Sequence, residues 1–142
     1  MIFESCIQKQ GEIKNIFSEY NSDTQKYEKI IQLGRDLPKI DPTLKTEDRL
    51  VKGCQSQMYL YSYLKDGKIH FEAEADALIS AGLAALLLYV YNDEPPETVL
   101  KCPPSFIDEI GLYSTLTPSR ANGLYSLHLQ MQQDTLKLLT NR

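Results

Sequence analysis

A chain of 142 residues, 42% hydrophobic and 24% charged, is long enough to bury a core of its own and too ordinary in composition for a disordered or fibrous protein. Its formal net charge of -4, with no cluster of Lys and Arg, argues against general nucleic-acid binding, which needs basic groups to displace counterions from phosphates. Cys6, Cys54 and Cys102 lie far apart, with no Cys-x-x-Cys pair and an odd count that cannot all pair internally, which favours a reducing, cytoplasmic setting.

The first residues lack the basic region and long apolar core of a signal peptide, and no targeting segment is expected. Phe3, Ile7, Ile13, Ile16, Phe17 and Tyr20 recur at helical spacing, with Gly11 as a weak point in that first helix. After a turn at Asn21-Ser22-Asp23, Ser22 or Asp23 caps a second helix bearing Tyr27, Ile30, Ile31, Gly34 and Leu37, and Pro38 stops it. From Asp48 the pattern turns extended: a short strand ends near Lys52 and a longer one runs from Ser56 to Lys65.

Asp66-Gly67 supplies a two-residue turn, so Lys65 pairs with Lys68 and, counting back, Met58 pairs with Ala75. That register makes one face apolar and places Tyr59, Tyr61, Tyr63, His70, Glu72 and Glu74 on the other. Such a ribbon suits helices packed on one side. Asp76 is expected to cap a helix from Ala77 to Tyr91, apolar nearly all round and so enclosed by other elements. The run is interrupted only by Ser80 and Gly82, and it is too short for a membrane span. Asn92 to Pro96 breaks the chain, two short helical pieces lie around 97–100 and 105–110, and a last helix opens at Thr117-Pro118. Leu124, Leu127, His128, Met131, Thr135 and Leu138 form its inward stripe. One domain spanning 1–142 is expected.

Chemistry concentrates in two places. Cys54 follows Gly53 in a predicted loop, where glycine allows a turn and lets another surface approach the sulfur. A packing cysteine is the plainer alternative. Reactivity would require help, because an unassisted thiol is only about 5 to 10% ionised at cytosolic pH. Arg120 in the first turn of the last helix adds a cation where free backbone N–H groups already favour an anion; pairing with a surface carboxylate is its plainer alternative. A dyad of Cys54 with His70 or His128 is open but has no motif to support it, and a metal or iron–sulfur site shared by Cys6, Cys54, Cys102 and a histidine lacks any closely spaced ligand pair. Adjacent Asp108 and Glu109 point apart on a helix.

Gly53-Cys54-Gln55-Ser56-Gln57 is similar to the cysteine segment of the SufE family of sulfur acceptors. Leu33-Gly34-Arg35-Asp36-Leu37-Pro38, Asp76-Ala77-Leu78-Ile79 with Gly82-Leu83, and Leu116-Thr117-Pro118-Ser119-Arg120 with Gly123-Leu124 resemble further family segments in the same order. The likeness spans roughly residues 13 to 140. It implies an α+β fold shared with iron–sulfur scaffold proteins of the IscU kind, with a small antiparallel sheet of about three strands packed against helices. The cysteine then lies at a loop tip near a shallow cavity.

The resemblance also implies a role. Members accept persulfide sulfur from a pyridoxal-phosphate cysteine desulfurase of the SufS/CsdA kind, stimulate it, and pass sulfur toward iron–sulfur cluster assembly on a downstream scaffold. Carried onto this sequence, Cys54 is the acceptor, Gly53, Gln55 and Ser56 shape its loop, Arg120 stabilises the anion, and Asp76 lies close by. The chain is then a partner protein, not an enzyme, with no cofactor or metal of its own, no nucleic-acid or membrane partner, and a monomeric or homodimeric state. An iron–sulfur scaffold and a regulatory adaptor that takes no sulfur are the alternatives. One departure concerns partner choice: Met58-Tyr59 stands where many relatives carry an aliphatic residue and Trp, and this chain has no Trp.

Overall fold

The structure, a computed structural model, describes residues 2–141, so the two end positions of the expected 1–142 domain lie outside the described residues. Helix α1 (Glu4–Phe17) runs through Gly11 without a break. Its buried face of Cys6, Gln10, Ile13 and Phe17 repeats at near-helical intervals, and that packing outweighs the ~1 kcal/mol a mid-helix glycine costs. In α2 (Asp23–Asp36) the Ser22 side chain accepts the Gln25 N–H at 3.2 Å, a cap contributing about 1 kcal/mol. Leu37 is already extended ahead of Pro38, as the pyrrolidine ring requires of the residue before it.

The short strand expected from Asp48 to near Lys52 does not form: Asp48 lies in a 3-10 turn, Glu47–Arg49, which follows another, Pro42–Leu44, in the preceding loop. Local bonds account for this: the Asp41 carboxylate accepts the Thr43 N–H at 2.9 Å, and Arg49 Nη1 donates to Leu44 O at 3.2 Å. Short polar side chains that satisfy nearby backbone compete with strand formation. What remains of the third strand is a single bridge between Leu50 and Tyr59, with the Val51 N–H donated to Met58 O at 2.9 Å.

Strands β1 (Met58–Lys65) and β2 (Lys68–Ala75) pair antiparallel in the register set by the Asp66-Gly67 turn, from Lys65 opposite Lys68 to Met58 opposite Ala75. Both turn residues have positive φ, 55° and 78°, as this type of tight hairpin demands. A two-stranded ribbon alone is marginal in water, and here both edges gain partners. Leu50 and Val51 pair with the start of β1 on one. On the other, Asn92 Oδ1 accepts the Phe71 N–H at 2.6 Å, Asn92 Nδ2 donates to Phe71 O at 3.2 Å, and the Ile69 N–H is donated to Glu94 O at 2.8 Å.

Met58, Leu60, Ile69, Phe71 and Ala73 point into the core, where α3 (Leu78–Tyr91) is buried nearly all round. Helix α2 crosses α3 at Gly34 and Gly82. A Cβ on Gly82 would sit 1.9 Å from the Ile30 carbonyl oxygen, and one on Gly34 2.1 Å from that of Leu78, so only glycine permits this approach. Asp76 does not cap α3: the N-cap position is Ala77, without a side-chain bond, and Asp76 turns to the Cys54 loop instead. Helices α4 (Pro96–Lys101) and α5 (Phe106–Glu109) match the two expected pieces. A further turn, α6 (Leu112–Thr115), starts at Gly111 with φ 72°.

Helix α7 (Pro118–Thr140) begins where Thr117 Oγ1 accepts the Arg120 N–H at 3.4 Å. Its stripe of Leu124, Leu127, Met131 and Thr135 is buried, with His128 and Leu138 partly so. No helix among the described residues is long and apolar enough to cross a membrane.

Candidate functional site

The connection from Val51 to β1 carries Cys54 between α3 and the start of α7. Gly53 has φ 80°, a left-handed conformation costing an ordinary residue about 1–2 kcal/mol. It also faces α7, where a Cβ would lie 2.6 Å from Ser126 Oγ. One turn back on the same helix, Gly123 leaves the space into which the Cys54 side chain projects: a Cβ there would stand 3.3 Å from Cys54 Sγ. Two glycines, one in the loop and one in the helix, therefore seat the thiol.

The loop is tied at its far side by two polar clusters, one around Arg120 and one around Asp76. Arg120 Nη1 donates to Ser80 Oγ at 2.9 Å and to Ser56 Oγ, and the two serine oxygens lie 2.7 Å apart. Asp76 Oδ1 accepts the Gln57 N–H at 3.1 Å while the Asp76 N–H is donated to Gln57 O at 3.1 Å. Among the described residues Arg120 makes no ion pair. It is held by neutral hydroxyls, so its charge is not neutralised locally.

The thiol sits in a cavity of about 10 Å³ walled by Met58, Leu83, Leu124 and Leu127 with Ser80 and Arg120 on its polar side. That volume holds about one water-sized group. Burial pushes the half-buried Cys54 thiol up from its ordinary value; the Ser56 backbone amide and then the Arg120 charge pull it partly back, and Asp76 adds a smaller upward push. Desolvation wins, and the seated sulfur rests as a protonated thiol. The cationic helix start lessens the cost of ionisation without abolishing it.

The structure brings Gly53, Cys54, Ser56, Asp76 and Arg120 together, with exposed Gln55 at the cavity rim. It does not bring the histidines there. His70 stacks on Tyr63 with ring centroids 5.3 Å apart, on the outer face of the ribbon, and His128 stacks on Tyr91 at 5.6 Å. Cys6 and Cys102 meet elsewhere, around Gln10. Among the described residues no group of three His, Cys, Asp or Glu side chains converges as a metal site. Sequence reasoning missed Ser80 and the apolar walls. The signal for Ser80 was available: it is one of two interruptions in the apolar run of α3, and a buried hydroxyl there needs a partner.

Residues 11–135 match the SufE family, described as an Fe-S metabolism associated domain. An uncharacterized SufE-like protein of Synechocystis sp. (strain ATCC 27184 / PCC 6803 / Kazusa) is 35% identical over 116 residues, covering 82% of this chain and 73% of that one. The sulfur acceptor protein CsdE of Escherichia coli (strain K12) is 32% identical over 117 residues, 81% of this chain and 80% of its own. SufE-like protein 1, chloroplastic/mitochondrial, of Arabidopsis thaliana is 33% identical over 128 residues, 89% of this chain but 34% of the longer plant protein. A solution structure of a hypothetical protein from Thermus thermophilus superposes with a TM-score of 0.77 at 25% identity, covering 93% of this chain and 96% of that one. On the match over residues 11–135 and these relatives, the chain belongs to the SufE family.

Proposed function

We propose that this protein accepts a sulfur atom on Cys54 from the persulfide of a cysteine desulfurase, stimulates that enzyme by doing so, and delivers the sulfur for iron–sulfur cluster assembly. The observation that carries the reading is the seat of Cys54: a half-buried thiol against Gly123, under an unneutralised Arg120, beside space for about one more small group. Kinship with a relative named as a sulfur acceptor supports it. Pyridoxal phosphate belongs to the partner, and this chain needs no cofactor.

The chemistry follows from the thiolate requirement. The Cys54 thiolate attacks the terminal sulfur of the donor persulfide; its sulfur–sulfur bond breaks, the donor leaves as a thiolate, and Cys54 carries the persulfide. In its seat the sulfur is screened and protonated, which suits storage more than attack. Swinging the 53–55 segment outward on docking removes the desolvation that holds the proton, so exposure and nucleophilicity rise together. Retraction then shelters the new persulfide from passing thiols.

With a desulfurase and cysteine, mass analysis of the peptide containing Cys54 is expected to show the gain of one sulfur atom, and Cys54→Ser to lose both that gain and the stimulation. Sulfur found only on Cys6 or Cys102 refutes the assignment, and undiminished stimulation by Cys54→Ser points to a regulatory adaptor.

A further inference from the structure

Cys6 and Cys102, which the sulfur-transfer reading leaves unused, share one polar anchor. Gln10 Nε2 lies 3.6 Å from Cys6 Sγ and 3.8 Å from Cys102 Sγ, and the same nitrogen donates to Pro103 O at 3.1 Å. Gln10 is itself fixed, because its Oε1 accepts the Phe106 N–H at 3.1 Å. The two thiols come from α1 and from the end of α4, remote in sequence, and the fold brings both sulfurs within 4 Å of the one Gln10 nitrogen. Tyr91 steadies the second partner by donating its hydroxyl to Cys102 O at 2.6 Å.

We propose that Cys6 and Cys102 are a reversible disulfide pair, joined by a peroxide-class oxidant, that clamps α1 to the α4–α5 junction. Access comes through Cys102. Itself buried at 5% exposure, it lines a surface cavity of about 250 Å³ between Phe3, Ile7, Gln10, Lys14 and Glu109, whereas Cys6 has no exposure at all. In the first step the Cys102 sulfur attacks a peroxide oxygen; the O–O bond breaks, water leaves, and a sulfenic acid forms. The Cys6 sulfur then attacks that sulfur, the S–O bond breaks, and the Cys6 proton leaves with the oxygen as a second water. Two thiols and one peroxide thus give one disulfide and two waters.

The surroundings favour this product over separated thiolates. Burial, with Cys102 adding to it, pushes the Cys6 thiol up to about 12, so the reduced form gains nothing from a Cys6 thiolate, and a dithiol without that stabilisation is easier to oxidise at equilibrium. The same burial makes closure slow. The clamp is therefore a response to sustained oxidant, and it stands independently of the sulfur-transfer reading.

The test uses the full chain with Cys54→Ser, so that the half-buried Cys54 thiol does not compete. After peroxide treatment of the folded protein, remaining thiols are alkylated in denaturant and the digest is searched for a peptide joining Cys6 to Cys102. The joined peptide is expected, with a melting temperature raised by roughly 5–15 °C that reductant reverses; Cys102→Ala in the same background is expected to lose both. Recovery of Cys6 and Cys102 as alkylated thiols, as separately over-oxidised acids, or joined to another chain overturns the proposal.

Discussion

Replacing Gly123 by alanine sets two effects of known sign against each other at the sulfur seat. Gly123 lies inside α7, where alanine is favoured by about 1 kcal/mol through backbone entropy alone. The new Cβ stands 3.3 Å from Cys54 Sγ, a few tenths of an ångström closer than carbon and sulfur settle at rest, and the cavity holds only about 10 Å³ to absorb it. Overpacking by one methyl costs about 1–3 kcal/mol when neighbours are rigid. Here the neighbour is a loop side chain beside Gly53, so the sulfur gives way first. Gly123→Ala is expected to fold with a stability within about 1 kcal/mol of the parent, while Cys54 is displaced outward and alkylated several-fold faster. After loading, its persulfide should be lost sooner to an added thiol. Stability raised by the full helix-propensity gain, together with unchanged alkylation and persulfide lifetime, would refute the seat.

Three other outcomes follow from the same geometry. Gly82→Ala places a Cβ 1.9 Å from the Ile30 carbonyl oxygen, a backbone collision that should cost more than about 3 kcal/mol, read as a lower denaturant midpoint at unchanged slope. Arg120→Met and Asp76→Asn should move the pH midpoint of Cys54 alkylation in opposite directions, upward when the cation is lost and downward when the carboxylate charge is lost; shifts of the same sign would remove electrostatics as the cause. Under reducing conditions the Cys6 thiol, raised in the fold from 9.0 to about 12, contributes stability that is complete below pH 9 and is lost as pH rises toward 12. Urea midpoints measured from pH 8 upward should fall more steeply for the parent than for Cys6→Ala.

Much of this arrangement was legible in residue order, and the reasons differ by element. The hairpin register was readable because Asp66-Gly67 admits one tight turn and a one-residue slip would have exposed Leu60 and Phe71. The start of α7 was readable from Thr117-Pro118, a cap and a first-turn residue that act locally. The third strand misled because extended and turn conformations at Asp48 and Arg49 differ by local side-chain bonds, Thr46 to Asp48 and Arg49 to Leu44 O, that periodicity does not register. Asp76 misled for a related reason. An acidic residue before an apolar helix normally caps it, but here the loop backbone at Gln57 competes for the same oxygen and wins. At the site, Cys54 and Arg120 stood out by type and position. Ser80, a polar break in an apolar run, and Gly123, part of a family-like segment, come from the interiors of two different helices, and their shared place at one sulfur appears only when the fold brings those helices together.

The choice of partners for Arg120 bears directly on how such a site can both store and release sulfur. A carboxylate at hydrogen-bond distance would have positioned the guanidinium equally well, but it would also have cancelled the field that a sulfur anion experiences. Ser56 and Ser80 fix the side chain through neutral oxygens, leaving a full positive charge beside a cavity that is otherwise apolar. In such surroundings a charge acts more strongly than it would in water. Burial still dominates while the thiol is seated, which keeps it protonated and quiet. If a partner draws the loop outward as proposed, desolvation falls with exposure while Arg120, anchored to α3 through Ser80, remains behind at the helix start. On that proposal the proton is easiest to lose when the sulfur has begun to meet solvent and still feels the cation, which would place activation of the nucleophile at the moment of docking.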